Sequence, residues 1–136
     1  TLWETPTWTE QRSIAAARGT AFSLAFSPDG RMLVSAGEDG TARMWRIDNG
    51  ALEREFTGHG QRIWVIAFSP DGTRLATGSA DLTVRIWDPT TGTSLLLLTD
   101  HPDPVYNLVF SPDGRTLYVN ASGSRIDRLH SPARIQ

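Results

Sequence analysis

The sequence predicts an all-β fold built from repeated four-stranded antiparallel meanders. The stretch Phe-Ser-Pro-Asp-Gly occurs three times, at 26–30, 68–72 and 110–114, so its copies are 42 residues apart. Trp3, Trp45 and Trp87 keep the same interval. Each copy of the stretch ends one short apolar run and starts another. Pro suits the second position of a type I turn, and the Gly that follows accepts the left-handed conformation closing a short hairpin.

Taken in order, residues 1–19 form the end of a preceding unit. Trp3 stands where a strand is expected, and Ala15-Ala16-Ala17 is too short a run to hold a helix in water. The first complete unit covers residues 20–59, with strands expected at 21–26, 32–36, 41–47 and 52–56. The turns between them contain Pro28-Asp29-Gly30, Glu38-Asp39-Gly40 and Asp48-Asn49-Gly50. The second unit, 60–101, repeats this with strands at 63–68, 74–79, 83–87 and 93–99. The third, 102–136, shows strands at 105–110, 116–121 and 124–129 and no fourth. A period near 40 residues with four strands per unit is that of a propeller blade, which buries its faces only by stacking on neighbours.

Composition narrows the function classes. The 136 residues carry a net charge of −2, which supplies no basic footprint for nucleic acid. Without cysteine there is neither a disulfide nor thiol chemistry, which fits a cytoplasmic chain. The longest apolar run, Leu95 to Leu98, is far short of a membrane span. The chain opens on Thr1 rather than Met, as expected of a processed, excised or incomplete chain.

Gly58-His59, Phe68-Ser69-Pro70-Asp71-Gly72, Leu75-Ala76-Thr77-Gly78-Ser79-Ala80-Asp81 and Val84-Arg85-Ile86-Trp87-Asp88 together resemble a WD repeat almost position for position. The resemblance covers nearly the whole chain. It implies a circular β-propeller serving as a rigid, non-catalytic platform for protein partners, with no cofactor. It also implies a structural hydrogen-bond tetrad in the second unit. There His59 bridges Asp81 to a strand hydroxyl, from Thr77 or Ser79, and on to the Trp87 indole. In the first unit Ser35, Asp39 and Trp45 match, but Ala17 stands at the His position. The third keeps His101 and has Gly123 and Leu129 at the Asp and Trp positions. Asp100-His101-Pro102-Asp103 looks like metal-ligand material, but His101 lies one period after His59, so the tetrad position is favoured and no metal is expected.

About three blades are therefore present, whereas closed propellers take four to eight. The remaining blades are expected from the same longer chain, of which this is a C-terminal portion. The alternative is assembly of homo-oligomer copies, with the segment from Thr9 to Ala15 of one chain completing residues 105–129 of another. Partner binding is expected on the rim where the innermost strands begin. Phe22, Trp64 and Tyr106 are equivalent there, with Arg62 and Glu38 beside them; large stiff aromatics make good anchors for a protein or peptide. The other reading of these aromatics is inward packing between blades. A funnel-site enzyme or a nucleic-acid binder is a less favoured alternative: the funnel-side strands, such as 63–68, offer no cluster of acid–base groups and no activated nucleophile, and the net charge gives no basic face. No membrane binding is expected. Leu95 to Leu98 replaces the mixed sequence Glu53-Arg54-Glu55-Phe56, which marks either a contact with another domain or chain or over-packing of the blade edge.

Overall fold

The computed structural model describes residues 1–7, 9–15, 18–99, 101–121 and 126–130. Among these, all regular structure is β. Strands β1 (Leu2–Glu4) and β2 (Thr9–Arg12) form a two-stranded sheet. The first four-stranded sheet contains β3 (Ala21–Phe26), β4 (Met32–Gly37), β5 (Ala42–Arg46) and β6 (Leu52–Phe56) in sequence order. The second repeats this with β7 (Ile63–Phe68), β8 (Leu75–Ser79), β9 (Val84–Trp87) and β10 (Ser94–Leu98). The third has three strands, β11 (Val105–Phe110), β12 (Thr116–Ala121) and β13 (Ile126–His130). All pairings are antiparallel, so the architecture is that of propeller blades.

The repeated turn is fixed by more than Pro and Gly. In the second sheet, the Ser69 hydroxyl donates to Asp71 Oδ1 at 2.6 Å and accepts from the Arg74 amide at 2.9 Å. The same carboxylate oxygen accepts from the Thr73 amide at 3.0 Å. Gly72 adopts φ = 71°, a region that residues with a Cβ enter only under strain. The copies at Ser27–Asp29 and Ser111–Asp113 carry the same side-chain bonds.

Two apolar seams hold the sheets together. Val34, Met44 and Phe56 of the first sheet pack with Ile66, Leu75 and Trp87 of the second. On the opposite face of the second sheet, Ala76 and Val84 pack with Val105, Leu108, Leu117 and Val119 of the third. The two-residue alternation of a strand thus divides β8 between two neighbours. Gly78 lets this second seam close, since a Cβ there would lie 2.5 Å from Val105 Cγ1.

Observed strands differ from the sequence expectation by a residue or two at several ends. The expected strand at 124–129 is observed from 126 to 130, and residues 122–125 lie outside the described residues. The segment considered as a donor to another copy is engaged at home. Thr9–Arg12 pairs with β1 of its own chain, Glu4 opposite Thr9 and Trp3 opposite Glu10.

Candidate functional site

The second sheet contains a continuous buried polar chain. Trp87 Nε1 donates to Thr77 Oγ1 at 2.8 Å, and His59 Nε2 lies 2.7 Å from that hydroxyl. On its other side, His59 Nδ1 lies 2.9 Å from Asp81 Oδ2. The Asp81 carboxylate can only accept, so the imidazole proton is assigned to Nδ1, which donates to it, and Nε2 accepts from the Thr77 hydroxyl. Burial pushes the His59 pKa down, more strongly than the Asp81 hydrogen bond raises it, so the ring is neutral at pH 7. For Asp81, burial acts upward, but hydrogen bonds from Thr83, His59 and the Gly60 amide outweigh it and hold the carboxyl below its ordinary value. Of the two hydroxyls that alternation places on one face, Thr77 reaches the imidazole. Ser79 instead donates to the carbonyls of Arg62 and Gln61, at 2.9 and 3.2 Å, and fixes the loop entering β7.

The other two units use different chemistry. In the first, Trp45 Nε1 donates to Ser35 Oγ at 2.9 Å, while Asp39 pairs with Arg43 at 2.8 Å. Arg43 also reaches Glu55 at 2.8 Å. This arginine-centred cluster replaces an imidazole as the partner of Asp39; Ala17, at the corresponding position, lies outside the described residues. In the third unit His101 is buried, and its Nδ1 has no hydrogen-bond partner among the described residues. Val119 occupies the place equivalent to Thr77, so no hydroxyl faces the ring from there; Gly123 lies outside the described residues. No cluster of three potential metal ligands occurs among the described residues.

On the rim, Phe22, Trp64 and Tyr106 form one ladder across three sheets. The Phe22 and Trp64 ring centroids are 4.7 Å apart, and those of Trp64 and Tyr106 are 5.7 Å apart. Phe22 is 39% exposed and Tyr106 51%, so the outer rungs face solvent while Trp64 is half-buried between them. Neither reading of the sequence alone describes this: the rings touch each other across the blades and still present a surface. The Arg62 guanidinium stacks over Trp64 at 5.5 Å from the ring centroid. Glu38 lies at the Phe22 end, exposed, and accepts from the Thr20 amide at 3.2 Å.

A local irregularity aims these rings. Strand register shifts between Ala21 and Ser23, between Ile63 and Val65, and between Val105 and Asn107. Each aromatic is thus the extra residue of a β-bulge, which turns its side chain out of strict alternation. Sequence reasoning found the equivalence of the three positions but not the bulge that points them.

The WD domain, G-beta repeat family matches the chain at residues 8–46, 50–88 and 92–127. A curated relative, DDB1- and CUL4-associated factor 13 of Dictyostelium discoideum, is 43% identical over 47 residues, 35% of this chain and 11% of that protein. Elongator complex protein 2 of Danio rerio is 35% identical over 54 residues, 40% of this chain and 7% of that protein. The solved structure of U3-55K superposes with a TM-score of 0.77 at 25% identity, covering 79% of this chain and 35% of that one. The crystal structure of RRP9 WD40 repeats gives 0.76 at 26% identity, covering 79% and 34%. The chain therefore spans about a tenth or less of these curated relatives and about a third of these solved structures. Three matched repeats, each running from the last strand of one sheet to the third strand of the next, cover most of the chain and place it in the WD40 repeat family.

Proposed function

We propose that the chain is a non-catalytic scaffold that binds a protein or peptide on the aromatic rim formed by Phe22, Trp64 and Tyr106, with Arg62 and Glu38 as its charged flanks. WD40 repeat proteins are in general protein-interaction scaffolds. The observation that carries the reading for these residues is the bulge at each of the three positions, which exposes a contiguous aromatic strip where alternation would have turned the rings elsewhere. Aromatic rings and arginine are the side chains most enriched at binding hot spots. Arg62 forms no ion pair among the described residues and is placed to take a partner carboxylate by a bidentate bond. Two of the matched relatives are named for protein assemblies, which agrees with this reading. On the same reading the three sheets are an arc of a larger propeller whose other blades belong to a longer chain.

A peptide library panned against the purified chain, followed by titration of the selected peptides, tests the proposal. Tyr106→Ala and Arg62→Glu are expected to weaken binding at least tenfold while circular dichroism stays that of the parent. Undiminished binding by the folded variants would overturn it.

A further inference from the structure

We infer that the outer edge of β10 is a self-association surface, through which two copies of this chain join their second sheets edge to edge. β10 is the terminal strand of its sheet, so among the described residues one row of its backbone amides and carbonyls has no strand beside it. Such edges are ordinarily guarded by charge. The equivalent strands follow that rule: β2 reads Thr-Glu-Gln-Arg and β6 reads Leu-Glu-Arg-Glu-Phe. β10 reads Ser-Leu-Leu-Leu-Leu, and no charged residue occurs from Pro89 to Thr99. Leu95, Leu96 and Leu97 are 45%, 49% and 43% exposed, on both faces of the strand.

The comparison with β6 shows what the leucines replace. Arg54, one period before Leu96, donates to the Thr91 carbonyl at 3.0 Å and so is occupied within the chain. Leu96 makes no such bond and borders a groove of about 240 Å³ lined by Ile86, Phe110, Leu117 and Leu129, with Arg74 and Arg115 also in its wall.

A second copy fits this edge better than an unrelated chain because the strand is self-complementary. Antiparallel pairing about a two-fold axis sets leucine opposite leucine, with Leu96 or Leu97 facing its own equivalent, and brings no like charges together. The backbone row is completed on both sides at once, giving one eight-stranded sheet. Five paired residues bury less than the roughly 1,200 Å² of a standard stable interface, so the dimer is weak and reversible.

Sedimentation equilibrium on the 136-residue chain reads the outcome directly. The apparent mass is expected to rise from 15.0 kDa toward twice that value with increasing protein concentration. Leu97→Lys is expected to shift the association at least tenfold to higher concentration, and mixing it with Leu97→Glu to restore pairing, since the opposite charges then face one another in the Leu97 register and are diagonal neighbours on one face in the Leu96 register. Amide exchange at 94–98 is expected to slow as the dimer forms. A chain that stays monomeric at the highest concentration would overturn the inference. So would association that survives Leu97→Lys but is lost in Phe26→Ser, because Phe26 is 56% exposed on the first sheet and away from this edge.

Discussion

Thr77 is the residue on which the polar chain of the second sheet depends, because its one hydroxyl serves two buried rings. Thr77→Val keeps the shape and leaves the Trp87 indole N–H and His59 Nε2 unpaired. An unsatisfied buried polar group costs about 1–3 kcal/mol, so a loss of at least 2 kcal/mol is expected at roughly this scale, read as a lowered Tm. Thr77→Ser retains the hydroxyl and most of the stability. His59 adds a pH dependence with a definite sign. Its pKa is lowered by folding, so below the ordinary value of 6.5 the unfolded chain binds the proton more readily than the folded one. Stability is therefore fully present above pH 6.5 and falls as the pH drops from there through the folded-state pKa. Thermal melts between pH 8 and pH 5 are expected to show this slope, and His59→Gln to lack it. A slope unchanged in that variant would assign the effect to other groups.

At the scale of the element, the Ser69–Asp71 turn holds its strands in register through a carboxylate. The Ser69 hydroxyl, then the amide and hydroxyl of Thr73, draw the Asp71 pKa down from 3.8 to about 2. Because the folded-state value is the lower one, its contribution is present above pH 3.8 and is lost as the pH falls toward 2. Asp71→Asn is expected to lower the Tm at neutral pH and to flatten the acid limb of the stability profile between those values; a steep limb in the variant would contradict this. Much of this element was legible in the sequence, since Pro, Asp and Gly at fixed offsets define a turn whatever surrounds it. The bulges at Phe22, Trp64 and Tyr106 were not legible. They are set by which amide pairs with which carbonyl across two strands, and no local residue pattern encodes that. The same limit explains Ser79. Alternation put it beside Thr77, but only the fold shows that the carbonyls of Gln61 and Arg62 claim it.

At the scale of the molecule, the sheets are joined along their outer margins by a repeated arginine clamp as well as by apolar seams. Arg12 of β2 donates to the carbonyls of Asn49 and Asp48 at 2.6 and 3.2 Å, in the turn between β5 and β6. One period later Arg54 of β6 donates to the Thr91 carbonyl at 3.0 Å, in the turn between β9 and β10. Each clamp rests on a glycine: a Cβ at Gly50 or Gly92 would lie 2.9 Å from the Cδ of its arginine. Both glycines also have positive φ, 72° and 77°, so the turn and the clamp require the same residue. The repeat made these positions visible in the sequence, but their contact was not, because it spans two units. Arg54→Met keeps the stem packed and removes the charged donor, and is expected to cost about 1 kcal/mol. The effect should be local to one seam: faster amide exchange around Thr91 and Gly92, with the His59–Asp81 hydrogen bond intact. Gly92→Ala, which leaves the arginine in place but crowds it, should cost at least as much. The double variant should cost less than the sum, since both substitutions act on one contact. Additive losses would mean that the arginine and the glycine act independently and that no clamp joins these two sheets.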